Sequence, residues 1–261
     1  MSLSAADAHA ALVARWHALD PDEKACHLRS FDFAYAYHSG KIEDDAITYR
    51  DARELFEHRR VVSYTGEVRP LLELENLRLS WEWLLGHADP ALVVDEALVL
   101  EAHRLICFGT YDDARMKKGE RPGTYKRHDY RVGPDLAVGL PPEEVPAAMR
   151  ELVAEVADGL GALAGAQPSA RADRNALAVA AYLHAMLVEV HPFADGNGRV
   201  ARLLTNLVLV SRDLPPVAID ERDRMAYYGA LDAFHLDRDL AALVSLLEVE
   251  TLTSWPSLSA A

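Results

Sequence analysis

Cysteine is scarce. Cys26 and Cys107 are the only two in 261 residues, far apart and with no Cys-x-x-Cys pair. Two thiols at that distance exclude a disulfide framework, and they supply no zinc site by themselves. Long apolar runs are missing too: no stretch approaches the ~18 uncharged apolar residues that a membrane span requires. Near the start, Asp7, His9, Arg15 and His17 interrupt any signal-peptide core. Basic residues are outnumbered, 27 against 41 acidic ones, leaving a formal charge of −14. Such a surface repels phosphate backbones and anionic lipid, so neither nucleic acid nor membrane is an expected partner. There is no internal repeat, no low-complexity tract, no Gly-x-x-x-x-Gly-Lys-Ser/Thr loop and no Gly-x-Gly-x-x-Gly. These absences leave an ordinary soluble globule as the expectation, with a reducing cytoplasm as its compartment.

What is present is helical periodicity. Residues 71–85 carry Leu71, Leu74, Leu77, Leu79, Trp81, Leu84 and Leu85 with the i, i+3, i+4 echoes of a buried stripe. Pro90 is expected to open a helix over 91–107, and Glu143-Glu144 another that reaches about 163. A strongly apolar helix over 175–190 reads as central. Helices over 199–212, 222–235 and 239–251 follow, with Pro215-Pro216 as a stop. Residues 109–123 read as loop, 125–132 as a short hairpin, 138–142 as a break and 161–172 as a linker-like stretch. The expectation is one mainly α domain with a single small β element.

One segment carries chemistry: His191-Pro192-Phe193-Ala194-Asp195-Gly196-Asn197-Gly198-Arg199-Val200-Ala201-Arg202. Pro192 ends the apolar helix before it, and Gly196 and Gly198 permit backbone that other residues avoid. Such a loop feeding a helix N-terminus makes an anion nest. Arg199 and Arg202 stand three apart on one helical face, and two guanidiniums beside a nest suit a polyphosphate. His191 supplies a base titrating near neutrality, and Asp195 is a lone carboxylate of the kind that holds Mg²⁺ beside phosphates. Each piece alone is ordinary loop chemistry; the combination in twelve residues is specific.

That segment resembles the signature HPFx(D/E)GNGRxxR of the Fic (Fic/DOC) family, matched at every specified position, and the likeness runs from about 30 to 247. Pro122, Gly123, Thr124, Tyr125, Lys126 and Val132-Gly133 resemble the family's β-hairpin flap. Tyr227-Tyr228 and the residues around Pro215 resemble its tail. The resemblance implies an all-α bundle with that one flap: an N-terminal helical region over 1–90, a Fic core over 91–250 and a tail over 251–261. It implies a protein adenylyltransferase that moves AMP from ATP to a Ser, Thr or Tyr hydroxyl of a target protein, itself included, with Mg²⁺ as cofactor. Homodimers are frequent among relatives. By position, His191 would be the base and Asp195 the metal ligand. Gly196, Asn197 and Gly198 would form the anion hole, with Arg199 and Arg202 gripping phosphates. Tyr227, Tyr228 and His235 would lie near the adenine. Tyr227 and Tyr228 cannot share one helix face, so one of them is expected in the core.

Ser39-Gly40-Lys41-Ile42-Glu43-Asp44 resembles the family's inhibitory motif (S/T)xxxE(G/N), placed ahead of the core as in class II members. There the glutamate pairs with the second signature arginine, here Arg202. Glu43 also begins an acidic run, Glu43-Asp44-Asp45; its place before the core favours the motif. Asp44 stands where the family has Gly or Asn, Lys126 where arginine is common, and His235 where some members have asparagine. Alternatives are removal of AMP from a modified protein at the same site, and a nucleotide-sensing module without turnover. A DNA-binding regulator is disfavoured by charge and by the short stretch after Leu247. His184 reads as a packed histidine, Trp81 and Trp83 as core and surface, and His27, His38 and His58 show no ligand spacing.

Overall fold

A computed structural model describes residues 4–44, 46–61, 64–132, 136–164 and 169–259, with side chains omitted at 131–132 and 136–137. Asp45 of the acidic run, Gly133 of the flap likeness and part of the linker-like stretch lie outside the described residues. In chain order come α1 (Ala5–Ala18), α2 (Pro21–Ser30), α3 (Asp32–Glu43), α4 (Tyr49–His58), α5 (Val68–His87), α6 (Glu96–Ile106) and α7 (Asp113–Lys117). Strands β1 (Arg131–Val132) and β2 (Leu136–Ala137) follow. Then come α8 (Val145–Leu163), α9 (Ala170–Val190), α10 (Asn197–Ser211), α11 (Arg224–Asp237), α12 (Leu240–Ser254) and α13 (Pro256–Ser259).

The apolar α9 is central as its composition demands, packed against α10, α8 and α12. The stripe on α5 buries Leu74, Leu77, Trp81 and Leu84, while Leu79, out of phase, stays 42% exposed. Trp83 is half-buried and stacks on His87. Phe31 on the α2–α3 junction stacks on Trp255 with centroids 5.0 Å apart and also meets Trp81, which draws the N-terminal helices onto the end of the chain.

Three expectations need correction. Pro90 does not open α6; Asp95 does, its carboxylate accepting from Leu98 N at 2.8 Å, because a side-chain acceptor satisfies a free helix N–H and proline has none to offer. The 109–123 loop contains α7, capped by Asp112. The hairpin expected over 125–132 is cut down: among the described residues, strand pairing is confined to Arg131↔Ala137 and Val132↔Leu136. Residues 125–130 form no strand, because the chain there bonds to the signature loop, Lys126 N donating to Pro192 O at 2.8 Å.

Candidate active site

α9 ends at His191, whose backbone is left-handed (φ 50°), so the helix stops and the imidazole turns off its axis. Its partner in that turn comes from another segment. Gly139 (φ +73°) lies so close that a Cβ there would come within 2.2 Å of His191 Cβ and 2.6 Å of Val190 O. Leu140 N donates to Val190 O at 3.1 Å. Burial, then the charge of Lys126, pushes the His191 pKa down to about 4, so the ring is neutral at physiological pH.

Gly196 (φ 82°) begins α10. Asn197 holds the loop shut: its Oδ1 accepts from Phe193 N and its Nδ2 donates to Phe193 O, both at 2.9 Å. Its side-chain amide is therefore spent on the loop. His103, unforeseen, braces this loop from α6. Gly123 N donates to His103 Nδ1 at 2.9 Å, which puts the proton on Nε2, 3.2 Å from Asp195 O. The His103 ring stacks on Phe193 with centroids 3.7 Å apart.

Asp195 is surrounded by cations. Its Oδ1 accepts from Gly196 N (2.7 Å) and Arg199 Nη2 (3.1 Å), its Oδ2 from Arg69 Nη2 (2.7 Å), and Arg115 lies 3.6 Å away. Burial raises its pKa, but the guanidiniums of Arg199, Arg115 and Arg69 outweigh it and hold the carboxyl below its usual range. Arg199 is buried; its Nη1 is 3.3 Å from Glu73 and its Nε makes no hydrogen bond.

Arg202 turns toward α3. Its Nε donates to Ser39 Oγ (2.9 Å), and its Nη2 to Ser39 O (3.0 Å) and Glu43 Oε1 (2.7 Å). Burial acts to raise the pKa of Glu43, yet Arg202 and Arg199 together pull it below the ordinary carboxylate value. Asp44 ends α3 at φ −143°, extended backbone that does not need glycine. On the far side Tyr227 is buried, its hydroxyl 2.8 Å from His184 Nε2 and 3.5 Å from Arg202 Nη1. His184 is packed as expected, and its Nδ1 meets Thr205 Oγ1 at 2.9 Å.

A cleft of about 670 Å³ joins these parts; Glu43, His191, Gly198, Arg202, Tyr227, Tyr228 and His235 line it, along with Gly139. Residues from the two ends of the sequence thus share one cavity, with Tyr227 in the wall and Tyr228 more open. His235 is at the rim, 3.6 Å from Glu189. Asp195 and Arg199 pair with each other and are not among the residues that line the cleft. Of the flap residues, Gly123 is held by His103, Thr124 Oγ1 donates to Arg121 O, Tyr125 OH donates to Glu96, and Lys126 Nζ donates to Val138 O.

Residues 93–209 match the family model described as the Fic/DOC family. The chain carries a Fic/DOC-family domain. Curated relatives include a protein adenylyltransferase Fic of Drosophila persimilis, 30% identical over 200 residues, and the protein adenylyltransferase fic-1 of Caenorhabditis briggsae, 28% identical over 218. These alignments cover 76% and 80% of this chain but 35% and 38% of the relatives, so the chain spans little more than a third of their length. The fold matches a Fic domain-containing signaling protein of Bacteroides thetaiotaomicron with a TM-score of 0.80 at 22% identity, covering 98% of this chain and 96% of that one. It also matches Fic-1 of Caenorhabditis elegans with a TM-score of 0.72 at 23% identity, covering 97% and 70%. Among the described residues no helix is long and apolar enough to cross a membrane. The sequence alone missed Gly139, His103, Arg69 and Glu73. Only Gly139 left a trace, in the Gly-Leu-Pro-Pro break; the other three lie on helices and look locally like ordinary surface positions.

Proposed function

We propose that this chain transfers AMP from ATP to a hydroxyl of a target protein and that Glu43, from the N-terminal 1–90 region, restrains it in cis. The observation that carries the reading is the shared cleft: a neutral buried imidazole, a glycine nest at a helix N-terminus and a buried guanidinium held by a carboxylate from α3. Neutral His191 accepts the proton of a target Ser, Thr or Tyr hydroxyl. The oxygen then forms its bond to the α-phosphorus, and the α–β bridging bond breaks to release pyrophosphate. Backbone N–H groups of Asn197 and Gly198 and the α10 dipole stabilise the developing charge, Gly196 N being held by Asp195. Arg202, in the cleft wall, suits an outer phosphate, and Arg199 joins it once Asp195 and Glu73 release its guanidinium. Glu43 competes with that phosphate for Arg202. Tyr228 and His235 at the cleft's outer wall face the base, and residues 123–126 with the short ladder align the target segment.

Mg²⁺ is the cofactor the family resemblance suggests, with Asp195 as ligand. As arranged, this donor set does not fit the ion: one carboxylate, with one oxygen held by Arg69 and the other by Gly196 N and Arg199. No step is therefore derived through it. The test is intact-protein mass spectrometry of wild type and Glu43→Gly, each incubated with ATP and a divalent cation. A mass gain of AMP units in the variant, absent from Glu43→Gly/His191→Ala, is expected; no gain in Glu43→Gly would defeat the reading.

A further inference from the structure

Away from the cleft, His38 of α3 meets Asp220 and Glu221 at the one-turn 3₁₀ helix that leads into α11. A ring nitrogen of His38 and a carboxylate oxygen from each acid all lie within 4.8 Å of one another. His38 Nδ1 contacts Glu221 Oε2 directly. Their side chains are 25% and 27% exposed and that of Asp220 is 8% exposed, so the trio has a buried wall and an open side for water.

We infer that His38, Asp220 and Glu221 form a site for one divalent transition-metal ion of the zinc class. One imidazole nitrogen with two carboxylates is a mixed N/O donor set that zinc accepts, whereas Ca²⁺ and Mg²⁺ favour oxygen alone. The cation that now neutralises Asp220 is Arg222, bonded at 2.9 and 2.6 Å, but its side chain is 78% exposed. An exposed pair of this kind is weak, so an incoming ion displaces it at small cost. A second observation points the same way. Glu250, 1% exposed, accepts from Asp220 N with Oε2, while its Oε1 is buried with no hydrogen bond. A buried acid with an oxygen to spare thus stands directly behind Asp220. The assignment does not depend on the transfer reaction.

The site has a consequence. His38 precedes Ser39 and shares α3 with Glu43, so an ion that ties α3 to the start of α11 also fixes both residues that hold Arg202. Calorimetric titration of the metal-stripped full chain with Zn²⁺ should show one site. His38→Ala and Glu221→Gln should each weaken it by about tenfold or more; the glutamine still accepts from His38, so that variant keeps its fold. Zinc bound equally well by both variants, or lost on Cys26→Ser at the exposed thiol, overturns the assignment. Amide exchange across 35–43 should slow when zinc is bound; unchanged exchange with zinc in place overturns the coupling to α3.

Discussion

Glu43 Oε1 stands 2.7 Å from Arg202 Nη2, and a Cβ built on Gly198 would lie only 2.6 Å from that same oxygen. The carboxylate is therefore seated on the glycine backbone at the opening of α10, where a helix N-terminus attracts anions, and not merely paired with a distant arginine. A protein carboxylate and a phosphate cannot both occupy that place.

Removing the carboxylate should therefore release the site. Charge-assisted hydrogen bonds are worth about 1.5–3 kcal/mol, a factor of roughly ten or more. Glu43→Gly is expected to raise AMP transfer by at least that much. Ser39→Ala, which removes one of the four Arg202 contacts described, should raise it less. Both are read as initial rates with labelled ATP. A Ser39→Ala rate above that of Glu43→Gly would mean that Ser39, and not Glu43, holds the restraint.

Gly139→Ala tests the contact behind His191. The new methyl meets backbone and Cβ atoms at positive φ, so strain and overpacking should cost about 2–4 kcal/mol and displace the imidazole. Gly86→Ala on α5, where nothing lies within 4 Å, should instead gain about 0.5–1 kcal/mol. Thermal melts of the two variants should shift in opposite directions.

Stability should depend on pH with a definite sign. His9, His103, His184 and His191 have folded-state values of about 4, 3, 3 and 4, lowered from 6.5 chiefly by burial. Below pH 6.5 the unfolded chain binds protons that the fold refuses, so stability falls toward pH 4 at about 1.4 kcal/mol per pH unit for each fully engaged histidine. Glu250 works in the other direction. Burial raises it from 4.5 to about 7, so its contribution is lost as pH rises across that window. The histidines dominate below pH 6, and urea midpoints should drop steadily from pH 6 to 4. A flat profile would contradict their burial.

The same burial shapes the rate profile. With His191 neutral down to about pH 4, transfer by Glu43→Gly should hold level from pH 8 to 6. An acidic limb centred near 6.5, the value of a solvated imidazole, would show that His191 is open to water during turnover.

The sequence by itself determined the local chemistry. The order His-Pro, Gly-Asn-Gly, Arg dictates a helix stop, a nest and a new helix, because proline and glycine act through backbone sterics that need no distant partner. The apolar periodicity of α9 and α5 likewise placed the core. Glu43 and Arg202 were paired only through family likeness, since 159 residues separate them and nothing local aligns a carboxylate with a remote guanidinium. Tertiary packing alone decided the cage of Arg69, Arg115 and Arg199 around Asp195, the seat of His103 beneath the loop and the approach of Gly139 to His191. It also bent 125–130 onto Pro192 in place of a longer hairpin. Those relations depend on which helix faces meet, and one residue of helix rotation, about 100°, separates a charge at the surface from a charge in the site.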